Sequence, residues 1–354
     1  MTSPSSTPIR VALLLPEAVQ RQNFLELLSD DPLLDVCLEL SSTDTLIDRL
    51  NRARADLLVI AETPGPGASL RSIIAAVMSH APMPIVIAAT THHVDQTPGP
   101  RAMEGLRAGA LTVLPGLISN LDAHQRGQLL LTLHDMSALK VVRRRHSHPP
   151  SSPPRSARQR PTPEVIGIAA SSGGPAALHQ ILIELPADFP TPILIVQHFT
   201  AGFLSPFIRW LSHDTRLHID IARDGQPLRP GCVYIAPDHH HLGASQGKIL
   251  LSNAPAIGGF RPSATHLFTS LADNYGPRAW GIILTGMGRD GVDGLMHMRH
   301  RGALTIAQHE QGCAVYGMPR AALESGAAAH ALPLSHMPRH LLDRQLSHGL
   351  HPPD

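Results

Sequence analysis

The sequence predicts an α/β protein made of two doubly wound, mostly parallel sheets. Three observations carry that reading. Short apolar runs alternate with amphipathic helical stretches in both halves of the chain. A segment rich in Pro, Ser and Arg and nearly free of apolar residues separates the halves. Finally, 354 residues with 43% hydrophobic content are enough for two separate cores.

In the front half the strand candidates are RVALLL (10–15), LDVCLEL (34–40), DLLVIA (56–61), PIVIAAT (84–90) and ALTVL (110–114). Helical patterns fill the gaps at 18–28, 43–51, 70–78 and 102–108, and a last helix runs over 121–142. Strands spaced by helices demand parallel pairing with helices on both faces. The boundaries follow as a front domain over 1–125, a helix and linker over 126–163, and a rear domain over 164–354. The linker, RRRHSHPPSSPPRSARQRPTP (143–163), cannot bury a core and reads as a semi-extended tether. In the rear domain the strand candidates are VIGIAA (165–170), PILIVQ (192–197), CVYIAP (232–237), KILL (248–251), AWGIILT (279–285) and ALTIA (303–307). Helices fit between most of them, at 202–211, 264–275 and 291–301, and the tail over 347–354 reads as frayed.

Composition removes several classes of function. A formal charge of +1 leaves no electrostatic footprint for nucleic acid, and 3% aromatic residues leave little for base stacking. Cys37, Cys232 and Cys313 are scattered and odd in number, which points to a reducing compartment and away from a structural metal site. No apolar run reaches the roughly 18 residues of a membrane span, and the first one ends at Pro16. The expectation is a cytoplasmic protein with no membrane insertion and no cofactor. His239, His240 and His241 are consecutive and rarely could point at one ion, so no metal is expected there.

The front half resembles a response-regulator receiver domain, a flavodoxin-like fold. That resemblance implies an acidic pair after the first strand, a phosphate-accepting Asp after the third and a Lys after the fifth. None of the three is present. The first strand runs into Leu15 and Pro16 with a single Glu17, the third ends in Ala61 at the acceptor position, and Pro115 and Gly116 follow the fifth. Mg²⁺ needs hard oxygen ligands, and the remaining Glu17 and Glu62 read as solvated loop carboxylates. A receiver fold without phosphoryl transfer is expected.

In the rear half three strand candidates end in reactive groups. VIGIAA runs into Ser171, PILIVQ into His198, and AWGIILT through GMGR to Asp290. Ligands of open parallel sheets bind beyond the carboxyl ends of the strands, so the three can meet in one crevice. A serine, a histidine and an aspartate are what acyl transfer needs: a hydroxyl nucleophile, a base to take its proton, and a carboxylate to orient that base. The chain order Ser, His, Asp differs from that of α/β-hydrolases. Spacing alone leaves open that SSGGP is a helix cap or a phosphate-binding turn. The latter lacks a P-loop lysine and a GxGxxG fingerprint. Met287, Met296 and Met298 read as packing residues, and Cys313 as buried and inert.

ASSGGP, QHF, RPSATHLF, GIILTGMGRDG, TIAQ and CAVYGMPR, in this order, closely resemble the chemotaxis protein-glutamate methylesterase family. The match spans nearly all of 164–334, and a receiver-like domain plus linker in front is that family's arrangement. The resemblance implies a Rossmann-like three-layer methylesterase domain with Ser171 as nucleophile, His198 as base and Asp290 as its partner. It further implies that the backbone N–H groups of Ser172 and Met287 receive the oxyanion and that Arg261 meets the substrate. Glutamyl methyl esters on methyl-accepting chemotaxis receptors are the implied substrate, with deamidation of glutamines in the same site. A chemotaxis histidine kinase or other array protein is the implied partner of the receiver-like domain. Two local departures stand out: Ala169 and Ala170 precede Ser171 where the family reads Gly-Ala, and Thr265 stands where an Asp is usual. The competing readings are a non-catalytic signalling scaffold and a methylesterase serving a pilus-type rather than a flagellar pathway.

Overall fold

The computed structural model describes residues 7–65, 69–89, 100–114, 121–137, 163–199 and 203–346. They fall into two compact units. In the front unit the elements are β1 (Ile9–Leu14), α1 (Ala18–Ser29), β2 (Leu34–Leu40), α2 (Leu46–Ala53), β3 (Leu57–Ala61), α3 (Leu70–His80), β4 (Ile85–Ala88), α4 (Pro100–Ala108), β5 (Thr112–Leu114) and α5 (Ala123–Ser137). All strand pairs are parallel and the order is β2-β1-β3-β4-β5, the flavodoxin-like arrangement. Residues 57–60 and 85–88 are buried without alternation, as strands covered on both faces must be. α5 is tied to the end of α1: Arg126 Nε donates to Asp30 at 3.0 Å, and the His134 ring meets Asp31 at 2.6 Å.

The carboxyl ends of the front strands differ from the expectation in one respect. Glu62 is not a solvated loop residue. It is 2% exposed and accepts the Ala102 N–H at 3.1 Å, capping the start of α4. Gln20 is buried as well, and its amide donates to Ala89 O at 2.7 Å beyond β4. Uncharged or already bonded groups thus stand where Mg²⁺ ligands would be needed. Pro115, Gly116, the linker and the tail lie outside the described residues.

The rear half of the chain runs β6 (Val165–Ala170), α6 (Gly174–Leu182), β7 (Ile193–Gln197), α7 (Leu204–Asp214), β8 (His218–Ile221), β9 (Cys232–Ile235), β10 (His241–Ser245), β11 (Lys248–Ser252), α8 (Ala264–Tyr275), β12 (Ala279–Ile283), α9 (Val292–His300), β13 (Leu304–Gln308), α10 (Met318–Glu324), β14 (His330–Leu332) and α11 (Met337–Leu346). Seven strands form one parallel sheet in the order β14-β13-β12-β6-β7-β9-β8. KILL does not join it. As β11 it pairs antiparallel with β10 in a separate hairpin, because Gln246 and Gly247 turn the chain back at once with left-handed φ values of 49° and 72°.

The strand order reverses between β6 and β12, so the crevice of this sheet opens at their carboxyl ends. α8 packs over β6 at Gly167, where a Cβ would fall 2.7 Å from Leu271 Cδ1. That close approach sets the start of α8 near the same crevice. Among the described residues no helix is long and apolar enough to cross a membrane.

Candidate active site

β6 ends at Ala170, and the chain enters α6 through Ser171, Ser172 and Gly173. The Ser171 backbone is held on three sides: its N–H donates to Thr285 O at 3.0 Å, while its carbonyl accepts Gly174 N–H at 2.8 Å and Gln197 Nε2 at 2.9 Å. Gly173 has φ 74°, and a Cβ there would lie 2.4 Å from that of Ala314, so both conformation and space require glycine. Gly286 faces Ser171 so closely that an added Cβ would meet the serine Cβ at 2.8 Å. The buried Thr285 hydroxyl lies 2.9 Å from Ser172 O and accepts Val315 N–H at 2.8 Å, which ties the turn to the strand beside it.

His198 follows β7. Ala170 pairs with Gln197, and His198 N–H donates to Ala170 O at 3.1 Å. Residues 171 and 198 are therefore one step beyond two adjacent strands, which run about 4.8 Å apart. Nε2 of His198 bonds Asp290 Oδ2 at 3.0 Å. Nδ1 is buried and has no hydrogen-bond partner among the described residues. Because the carboxylate takes Nε2–H, the basic lone pair of the neutral ring is on Nδ1. These nitrogen roles are the reverse of those in trypsin-like triads. The Ser171 hydroxyl makes no hydrogen bond to the ring here; in free enzymes such bonds often tighten only with substrate.

Asp290 sits on the first turn of α8. It accepts the Ser263 hydroxyl at 2.7 Å, Ala264 N–H at 2.7 Å and Thr265 N–H at 3.2 Å. Burial favours its neutral form. The hydrogen bond and charge of His198, then the Ser263 hydroxyl and the Ala264 N–H, outweigh that and bring the carboxyl to about 2. The positive end of the α8 dipole acts in the same direction. Ser263 is itself fixed: its N–H donates to Nδ1 of the fully buried His241 at 3.2 Å, whose Nε2 faces Pro255 O at 3.1 Å. Thr265, the departure from the family pattern, accepts Gly291 N–H at 2.9 Å and so secures the residue after Asp290.

The N–H groups of Ser172 and Met287 donate to no acceptor among the described residues. Arg261 is exposed and its guanidinium lies 3.4 Å from both Asn253 O and Ala254 O. The structure joins Asp290 to His198 and sets Ser171 beside them, and it leaves Arg261 without a bond to any of the three. Burial pushes the Cys313 thiol up to about 12, so it stays protonated and unreactive. Gln197, Ser263 and Thr285 hold this site together without having been singled out from the sequence, and His241, weighed there only as a metal ligand, anchors Ser263. Two carried a signal, a polar residue closing an otherwise apolar strand; Ser263 carried another, an N-cap type just before a helix.

The CheB methylesterase family model matches residues 166–341. A protein-glutamate methylesterase/protein-glutamine glutaminase of Anaeromyxobacter dehalogenans (strain 2CP-C) is 39% identical over 330 residues, 90% of this chain and 94% of its own length. Protein-glutamate methylesterase FrzG of Myxococcus xanthus is 41% identical over 265 residues, 73% of this chain and 76% of its own. Among solved structures, the crystal structure of the Thermotoga maritima CheB methylesterase catalytic domain matches with TM-score 0.50 and 35% identity, over 51% of this chain and 98% of that one.

A folded-state value below the ordinary 3.8 means that ionised Asp290 stabilises the fold above about pH 4, and that this contribution fades as pH falls towards about 2. The contribution is about 2 kcal/mol. In urea unfolding followed from about pH 5 downwards, Asp290→Asn should lose correspondingly less stability than the parent chain. Parallel profiles would remove Asp290 from the buried ionised cradle.

Proposed function

The chain belongs to the CheB methylesterase family, and from that premise we propose that Ser171, His198 and Asp290 are its catalytic residues. The activity is hydrolysis of glutamyl methyl esters on methyl-accepting chemotaxis receptors, with deamidation of glutamine as the companion reaction. One observation carries the residue assignment: Asp290 holds Nε2 of His198 at 3.0 Å and leaves the buried Nδ1 open, one strand away from the Ser171 hydroxyl.

The steps follow from that arrangement. Ser171 Oγ attacks the ester carbonyl as His198 Nδ1 takes its proton, and Asp290 balances the imidazolium that forms. Negative charge gathers on the carbonyl oxygen, where the N–H groups of Ser172 and Met287 receive it. The tetrahedral species collapses, Nδ1–H protonates the departing methoxide, and methanol leaves a glutamyl-serine ester. Water then enters, the same nitrogen takes its proton, and the serine and the free glutamate are released. With glutamine the first leaving group is ammonia. Arg261, exposed and bonded among the described residues to two carbonyls, meets an acidic neighbour of the target side chain.

Control of this reaction cannot run through a phosphoaspartate at residue 61, because Ala61 has no carboxylate. Glu62 beside it is buried and bonded. Either the reaction runs constitutively, or regulation passes to a protein that contacts the front unit, a chemotaxis histidine kinase or another array protein. The whole reaction belongs in the cytoplasm.

In the full chain, Ser171→Ala and His198→Ala should each lower methanol release from a methylated receptor by about a thousandfold or more. A Ser171→Ala variant within about tenfold of the parent would end the assignment. Incubation with a small phosphodonor should leave the front unit unmodified and the rate unchanged. An aspartyl phosphate that raises activity would overturn the account of control.

A further inference from the structure

Between β11 and α8 the chain makes a two-residue hairpin, Ile257-Gly258-Gly259-Phe260. Its ends exchange both backbone hydrogen bonds, Ile257 N–H to Phe260 O at 3.1 Å and Phe260 N–H to Ile257 O at 3.0 Å. Gly258 and Gly259 have φ 58° and 87°, the pair of positive values a type I′ turn requires, and a Cβ at either would meet nothing within 4 Å. The glycines are there for the bend and not for space. The bend displays Phe260, a large apolar side chain that stays 38% exposed. One face of its ring lies on the His198 imidazole, with centroids 4.3 Å apart and planes 15° from parallel.

Burial does not explain this phenylalanine, since much of its surface remains in water. Its one ordered aromatic partner among the described residues is the ring that must turn into an imidazolium during the reaction. An aromatic face carries negative quadrupole density and attracts a cation placed over it. The same face covers one side of the imidazole against water. It also blocks rotation of a ring that is otherwise tethered at Nε2 alone.

We propose that Phe260 is a positioning residue for hydrolysis: the hairpin lays its ring on His198 to hold Nδ1 towards Ser171 and to favour the imidazolium formed there. The inference rests on His198 being the base. It assigns the Ile257–Phe260 hairpin to the chemical step and not to substrate affinity. A hairpin that only touched substrate would act on KM.

The test compares Phe260→Leu, Phe260→Tyr and His198→Ala in the full chain by steady-state methanol release and by the rate of serine labelling with a fluorophosphonate. Phe260→Leu should lower kcat by about five- to thirtyfold with KM within about twofold, and slow labelling in parallel. Phe260→Tyr, which keeps the aromatic face, should return both rates to within about twofold of the parent. A Leu variant with parental kcat and labelling rate overturns the proposal, as does a rise in KM alone or a Tyr variant as slow as Leu. Should His198→Ala keep its activity, the triad reading fails instead. The exposure of Phe260 keeps the comparison free of a folding defect, which unchanged thermal unfolding of the variants will verify.

Discussion

Four donors converge on one carboxylate. His198 Nε2, the Ser263 hydroxyl and the N–H groups of Ala264 and Thr265 all point at Asp290, and the rest of the site depends on that cluster. The cost of burying a charge is met by hydrogen bonds and by the end of a helix. Once ionised and immobile, Asp290 has one outward function, to decide which nitrogen of His198 carries the proton. In the proposed reaction every later step uses the nitrogen it leaves bare. Neutralising this carboxylate would remove the bond that selects the tautomer of the imidazole and the charge that supports its cation.

The cluster can form because of how the rear sheet is wound. Ser171, His198 and Asp290 follow three strands whose carboxyl ends sit side by side at the reversal of strand order between β6 and β12. α8 reaches the same place because Gly167 lets Leu271 and Phe268 close onto β6. Short backbone contacts then remove the remaining freedom. Gln197 crosses from β7 to the Ser171 carbonyl, and Thr285 crosses from β12 to that of Ser172. Ser171 is thus held by its backbone and His198 by its side chain, a division that suits the roles proposed for them, a hydroxyl that must move and a ring that must not. Phe260 supplies the contact that the imidazole lacks on its open face.

Much of this was legible in the sequence for a physical reason. Strands covered on both faces leave unbroken apolar runs, so the parallel sheets could be read from them, and Ser171 and His198 stood out as polar residues just past VIGIAA and PILIVQ. Asp290 lies five residues past AWGIILT, and the roles proposed for the three came from the family motifs rather than from the endings. KILL could not be placed, because an apolar strand in a hairpin has the same composition as one in a sheet. β8, with its half-polar HIDI, and β14, with three residues, fall below any periodicity. Glu62 was misjudged as solvated because nothing local reveals that the start of α4 lies over it. The bond between Ser263 and His241 escaped for a similar reason: it spans 22 residues of chain, and neither residue alone marks it. Phe260 was hidden in a glycine turn, where an aromatic residue carries no pattern at all.

The most direct test of the central claim is the protonation of one ring. Nitrogen NMR of the full chain labelled at histidine, with the His198 signals assigned by their loss in His198→Ala, reports which nitrogen bears hydrogen in the neutral state. The expected result is a proton on Nε2 and a bare Nδ1 in the neutral form of the ring, an order that is lost in Asp290→Asn. A proton on Nδ1 with Nε2 bare, or the same mixture of forms in both proteins, would contradict it.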